Sequence, residues 1–147
     1  MNVISRHVTS IVLLAIVVAS SIIGCAQIRE LTYPEGFTYL EEKEVDSLMR
    51  RMGDSIGVLN QLVAESSPSD TSQQQQIIAE LNKLEGFAIR LSGGHTQTNQ
   101  FVIGDHIEGF IGDIGTAKMF ANLNPPKYFK VDNVTNGCAG CHHFIKN

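Results

Sequence analysis

Apolar residues recur through the middle of the chain at spacings of three and four, the beat of a helix with one buried face. Val45, Leu48, Met49, Met52, Ile56, Leu59 and Val63 form the first stripe. Thr38-Tyr-Leu-Glu41 ahead of it has the form of a capping box, in which a hydroxyl and a carboxylate three residues apart satisfy each other's backbone amides. These signals predict a helix over residues 39–65. Ser67-Pro68-Ser69-Asp70 offers a second start, with Ser67 as N-cap, Pro68 in the tolerated first position and Asp70 reaching back. From there Ile77, Leu81, Leu84, Ala88 and Leu91 keep the beat until Gly93-Gly94 stops it. The glutamines at 73–76 read as solvated first turns of this helix. A third stripe, Ile103, Ile107, Phe110, Ile114, Ala117 and Ala121, predicts a helix from near Thr96 or Thr98 to Asn124-Pro125-Pro126. It carries Gly104, Gly109, Gly112 and Gly115, each costing about 1 kcal/mol against Ala in a helix interior. The expectation is that this helix is broken, or that its glycines admit a close neighbour or a bound group. A last helix starts at the prolines or at Asp132, with a candidate turn at Asn136-Gly137. Four helices with short connections predict an all-α fold, an antiparallel four-helix bundle.

The front of the chain has a different pattern. Met1 to His7 carries one sure positive charge, Arg6, and an unbroken apolar run from Ile11 to Ala19 follows. That is the form of a secretory signal peptide. The run is too short for a comfortable spanning helix, which needs roughly 20 apolar residues; an uncleaved anchor is the alternative. It ends in Ile22-Ile23-Gly24-Cys25, which resembles a bacterial lipobox, where the cysteine is acylated and becomes the first mature residue. The alternatives are a buried free thiol at Cys25 or plain cleavage after Ala26. The expected organisation is a signal peptide over 1–24, a tether over 25–37 and one folded domain over 38–147, exported to the periplasm and held to a membrane by lipid on Cys25.

Composition adds mainly exclusions. At 43% apolar and 18% charged residues, the 147-residue chain is too apolar for a disordered segment. With 11 Lys+Arg against 15 Asp+Glu it lacks the basic face of a nucleic-acid binder. Residues 1–24 contain one formal charge, Arg6, so the mature chain is one unit more negative than the −4 of the whole.

The chemistry lies in Cys138-Ala-Gly-Cys141-His142. C-x-x-C-H is the attachment signature of c-type haem. On a helix the three residues fall at about 0°, 300° and 40°, within one sector about 100° wide. Two thiols on that sector reach two vinyl groups, and the His142 imidazole comes up beneath the iron as proximal ligand. Such attachment happens outside the bacterial cytoplasm, which the signal peptide independently requires. Two competing readings remain. One is a Cys138–Cys141 disulfide, which leaves His142 without a role. The other is a zinc site built from the two cysteines with His142, His143, His95 or His106, although structural zinc usually takes a second closely spaced ligand pair.

Only His143 to Asn147 follow the motif, so a second axial ligand has to come from upstream. This sets aside the mitochondrial-type arrangement, in which the axial Met follows the motif. The chain resembles the cytochrome c′ family, the class II c-type cytochromes, whose four-helix bundle bears C-x-x-C-H near the end of its last helix. Cys138, Cys141 and His142 fall on the family's attachment cysteines and proximal ligand. Arg51-Met52-Gly53-Asp54-Ser55-Ile56-Gly57 is similar to the segment that places a methionine over the distal haem face in low-spin members. Between about 66 and 125 the match is in helical pattern only, and Lys146 is a loose counterpart of a basic residue beyond the haem histidine.

The resemblance implies one covalent haem c near the C-terminus, with Met52 as sixth ligand and Met49 as second choice. A methionine on an apolar stripe is otherwise plain core. His106, about 60° off the third helix's apolar line, and His95, in a loop, are rival ligands; His106 is expected to face solvent or cap, and His143 to lie on the surface. With Met bound, the expected function is one-electron transfer without enzymatic chemistry, to redox partner proteins presenting a basic patch. With the distal site empty it is a five-coordinate gas-binding cytochrome, for which Phe101, Phe110 and Ile56 are candidates for a dry wall. A structural lipoprotein with a zinc or disulfide site is the further alternative. Family members commonly dimerise through their first two helices, so a homodimer is a further expectation of the resemblance.

Overall fold

The computed structural model describes residues 33–67, 70–94 and 96–145, with side chains as far as His142. The signal peptide, Cys25, Pro68, His95 and Lys146 lie outside the described residues, as does the side chain of His143. Contacts divide the chain into residues 1–35 and 36–147. In the second unit β1 (Phe37–Thr38) is followed by α1 (Glu42–Ala64), α2 (Thr71–Leu91), β2 (Gln97–Thr98), α3 (Phe101–Ala121) and α4 (Val131–Ile145). The fold is all-α, with four helices and one two-residue strand pair among the described residues. No helix among them is long and apolar enough to cross a membrane.

The predicted stripes are the buried faces. Leu48, Met52, Ile56 and Leu59 of α1 meet Ile77, Leu81, Leu84, Ala88 and Leu91 of α2, and α3 adds all six residues of its stripe. Packing runs in chain order, α1 on α2, α2 on α3 and α3 on α4. The Arg51 guanidinium of α1 stacks over the Phe87 ring of α2, 4.3 Å from its centroid. Ion pairs Arg90–Glu44 (2.8 Å) and Lys118–Glu85 (2.6 Å) join α2 to α1 and to α3. α4 does not pack along α1; Thr135 Oγ1 donates to Asn60 Oδ1 between them at 2.9 Å.

Helix ends depart from expectation in instructive ways. Thr38 does not cap α1. It lies in β1, where its hydroxyl donates to the Gly93 carbonyl at 3.1 Å, and Glu41 takes the N-cap position without a side-chain bond. Asp70 rather than Ser67 caps α2, its carboxylate accepting from the Gln73 amide at 3.0 Å. α2 ends in a Schellman turn: the Gly94 amide donates to Ile89 O and that of Gly93 to Arg90 O, at φ +72° and +66°.

β1 pairs with β2 in parallel, Phe37 opposite Gln97 and Thr38 opposite Thr98. The Asn99 carboxamide extends this clasp, accepting from Leu40 N at 2.7 Å and donating to Leu40 O at 3.0 Å. Gly93 lies beneath it, so close that a Cβ there would stand 2.6 Å from Thr98 Cγ2.

α3 is unbroken, and its four glycines are exposed with nothing within 4 Å of where a Cβ would stand. The helix is not broken and no neighbouring helix approaches these glycines, so those two expectations for them are overturned. The close approach occurs at Gly137 of α4, where a Cβ would stand 3.0 Å from Phe110 Cδ2. The chain does not turn at Asn136-Gly137: α4 runs through it, and glycine there lets the helix lie against the Phe110 ring of α3.

Candidate functional site

Because α4 continues through Gly137, it carries Cys138, Cys141 and His142 on successive turns. Both cysteines are free thiols and half-buried, with Cys138 packed against the core. Burial, and secondarily the neighbouring Cys141, push the Cys138 thiol up to about 11; burial also raises that of Cys141. Both thiols are therefore protonated at neutral pH and behave as small apolar groups.

They line a narrow cleft of about 40 Å³, left where α4 stands off α1. Met49 and Met52 come from α1, Leu91 from the end of α2, Ile103, His106, Ile107 and Phe110 from α3, and Gly137, Cys138, Cys141 and His142 from α4. A broader depression adjoins it through Met49, Ile103 and His142, adding Val45, Asn99, Gln100, Phe101 and Val102. The Asn99 clasp thus stands at the mouth. Here Phe101 and Val102 are 76% and 48% exposed.

The structure brings together the expected attachment residues, Cys138, Cys141 and His142, and the three described distal candidates, Met49, Met52 and His106. Met52 is buried and Met49 half-buried. His106 is exposed, as expected, and yet forms part of the wall. Of the dry-wall candidates Phe110 lines the cleft, Phe101 stands at its rim, and Ile56 belongs to the core. Sequence reasoning did not single out Leu91, Ile103, Ile107 or Gly137 as walls. Ile103, His106, Ile107 and Phe110 do follow the i, i+3, i+4, i+7 rhythm of one face.

The donor set suits a flat, largely apolar group better than a bare ion. Most of the wall is hydrocarbon or thioether, two thiols are available for covalent attachment, and an imidazole adjoins them. Among the described residues no group of three or more His, Cys, Asp or Glu is placed to hold a metal ion. Comparison with family models, curated proteins and solved structures finds no match to this chain.

Proposed function

We propose that this chain is an exported monohaem c-type cytochrome that carries single electrons, its helices forming an antiparallel four-helix bundle. The observation that carries the reading is the meeting, on one apolar cleft, of the free thiols of Cys138 and Cys141, the adjoining His142, and two methionines from the opposite helix. The haem supplies a one-electron ferrous–ferric couple when bound. Cys138 and Cys141 would attach its vinyl groups as thioethers, and His142 would ligate from the proximal side. Met52 is the proposed distal ligand, since it is the more buried of the two methionines and a thioether needs no proton to bind. Leu91, Ile103, Ile107 and Phe110 would exclude water from the group and set its dielectric. Cys25 is the proposed acylation site, holding the protein to a membrane in the periplasm.

A second reading is favoured by one observation: Ile103, Ile107 and Phe110 offer an apolar wall facing the cysteine-bearing helix. If Met52 only packs, that wall borders an open distal site, and the protein binds diatomic gases.

The test is the absorption spectrum of protein matured with the haem c attachment machinery, oxidised and reduced, with and without carbon monoxide. The electron-carrier reading expects low-spin bands, a weak sulfur-to-iron band near roughly 695 nm and little response to the gas. High-spin bands that shift fully with carbon monoxide would select the gas-binding reading. A colourless protein would sink both and return the zinc or disulfide alternative.

A further inference from the structure

We propose that the lip of the cleft at Phe101, rimmed by Asp105 and Asp46, is the docking surface for a basic, membrane-bound redox partner protein. This rests on the electron-carrier reading and adds to it where the partner binds and what its surface carries.

Phe101 opens α3 directly after the N-cap Gln100 and is 76% exposed, the largest exposure among the big apolar side chains described. It stands between two depressions. One leads to Val45, Met49 and His142, and the other is lined by Thr96, Gly104 and Asp105. A bare aromatic ring with exposed Val102 beside it is the form of an interface anchor, and aromatics are enriched where protein surfaces meet. Its position next to His142 puts a partner seated there beside the attachment helix.

Charge decides between occupants. Asp105 shares a depression with the ring, and Asp46 is exposed beside the lining residue Val45, with Glu42 a turn earlier on α1. None of these three carboxylates is in an ion pair among the described residues. The cations nearby are Lys43 and Arg50, both exposed on α1, and Arg90, which is paired with Glu44; the exposed Glu41, Glu42, Asp46 and Asp105 outnumber the two without an ion pair among the described residues. A second copy would set carboxylates against carboxylates, and an anionic lipid surface would be repelled. A protein with lysines or arginines around an apolar centre fits.

The tether places this partner at the membrane. From an acylated Cys25 to Phe37 the chain spans at most about 40 Å fully extended, and Phe37 pairs with Gln97, four residues before Phe101. The lip therefore stays close to the bilayer carrying the lipid. One electron would leave this protein and one arrive on the partner, with no bond made or broken.

The test uses the matured holoprotein and mitochondrial-type cytochrome c as a lysine-rich probe, mixed in opposite oxidation states and followed by stopped flow across ionic strength. The second-order rate should fall at least about tenfold from low to high salt. Asp46→Lys with Asp105→Lys should lower the low-salt rate about tenfold and flatten the salt dependence. Glu65→Lys with Asp132→Lys, an equal change of charge on exposed residues away from the lip, should leave most of that dependence. Phe101→Ser should lower the rate severalfold at every salt concentration, with the absorption spectrum unchanged. Equal effects of the two charge-reversal pairs, or a Phe101→Ser protein as fast as the parent, would overturn the docking surface while leaving the carrier reading intact. A colourless protein would overturn both.

Discussion

Met52 and Met49 stand one helical turn apart on α1, and their burial separates what each contributes. Met52 is 4% exposed and its side chain belongs to the core as well as to the cleft wall, whereas Met49 is half-buried at the mouth. Met52→Leu nearly conserves volume and should cost under about 1.5 kcal/mol in urea unfolding. If its sulfur binds iron, the same change should abolish the 695 nm band and turn the spectrum high-spin, while Met49→Leu leaves it low-spin. The reverse ranking would move the ligand to Met49. The motif Cys138, Cys141, His142 is readable from sequence because five adjacent residues hold its whole chemistry. Whether Met49 or Met52 has any role beyond packing is not, since a methionine at helical spacing looks the same whether it packs or ligates. Tyr128, in the loop before α4, offers a separate residue-scale test. Its hydroxyl is buried without a hydrogen-bond partner among the described residues, and burial, with Asp70 adding to it, raises its pKa. As pH rises past about 10, the unfolded chain releases that proton first, so the folded state holds more protons and loses stability. Tyr128→Phe should therefore leave stability equal or higher by about 1 kcal/mol at pH 7 and lessen the alkaline loss. A clear destabilisation at pH 7 would show that the hydroxyl has a partner.

At the scale of elements, glycine separates the helix ends from the helix bodies. Gly112 lies exposed in mid-α3 with open space where its Cβ would be, so Gly112→Ala should stabilise by about 1 kcal/mol, measured by denaturant midpoint. Gly93→Ala should instead destabilise by more than about 1 kcal/mol. Its φ is +66°, and the new methyl would meet Thr98 and Thr38 inside van der Waals distance. Stabilisation by Gly93→Ala would mean that the clasp is not closed in solution. The stripes of α1, α2 and α3 are legible because each repeats one local rule over about four to five turns. The start of α1 was misread because Thr38 has a rival partner: the Gly93 carbonyl, 55 residues away, is invisible to a rule that compares neighbours. The glycines of α3 misled for a related reason. Their cost is local and known, but only the packed structure tells that Gly137, on another helix, is the one lying against a ring.

The whole molecule depends on how its first and last helices are set apart. The cleft exists because α4 rests on α3 and not along α1, a separation that no single stripe specifies, which is why its walls were not read from the sequence. The start of α1 is fixed by the clasp, in which β1 pairs with β2 and Asn99 binds both backbone groups of the buried Leu40. The division of contacts between Glu35 and Gly36 places the clasp wholly within the second unit. A chain beginning at Gly36 should therefore keep the thermal midpoint of a chain beginning at Cys25 to within about 2 °C, less than the shift of about 4 °C that 1 kcal/mol produces in a domain near this size. A chain beginning at Glu41 should not. It gives up the burial of Leu40, about 1.5–3 kcal/mol, and leaves the Asn99 carboxamide to find new partners, about 1 kcal/mol more. Its midpoint should fall by at least about 10 °C. The loss should also be visible at the cleft, because Asn99 lines the mouth beside Met49 and Phe101: on the proposed electron-carrier reading, with α1 no longer tied to the start of α3, the haem-loaded protein should gain carbon monoxide binding that the chain from Gly36 lacks. Equal midpoints for the two truncations would show that the helices alone hold α1 in place and that the clasp is dispensable.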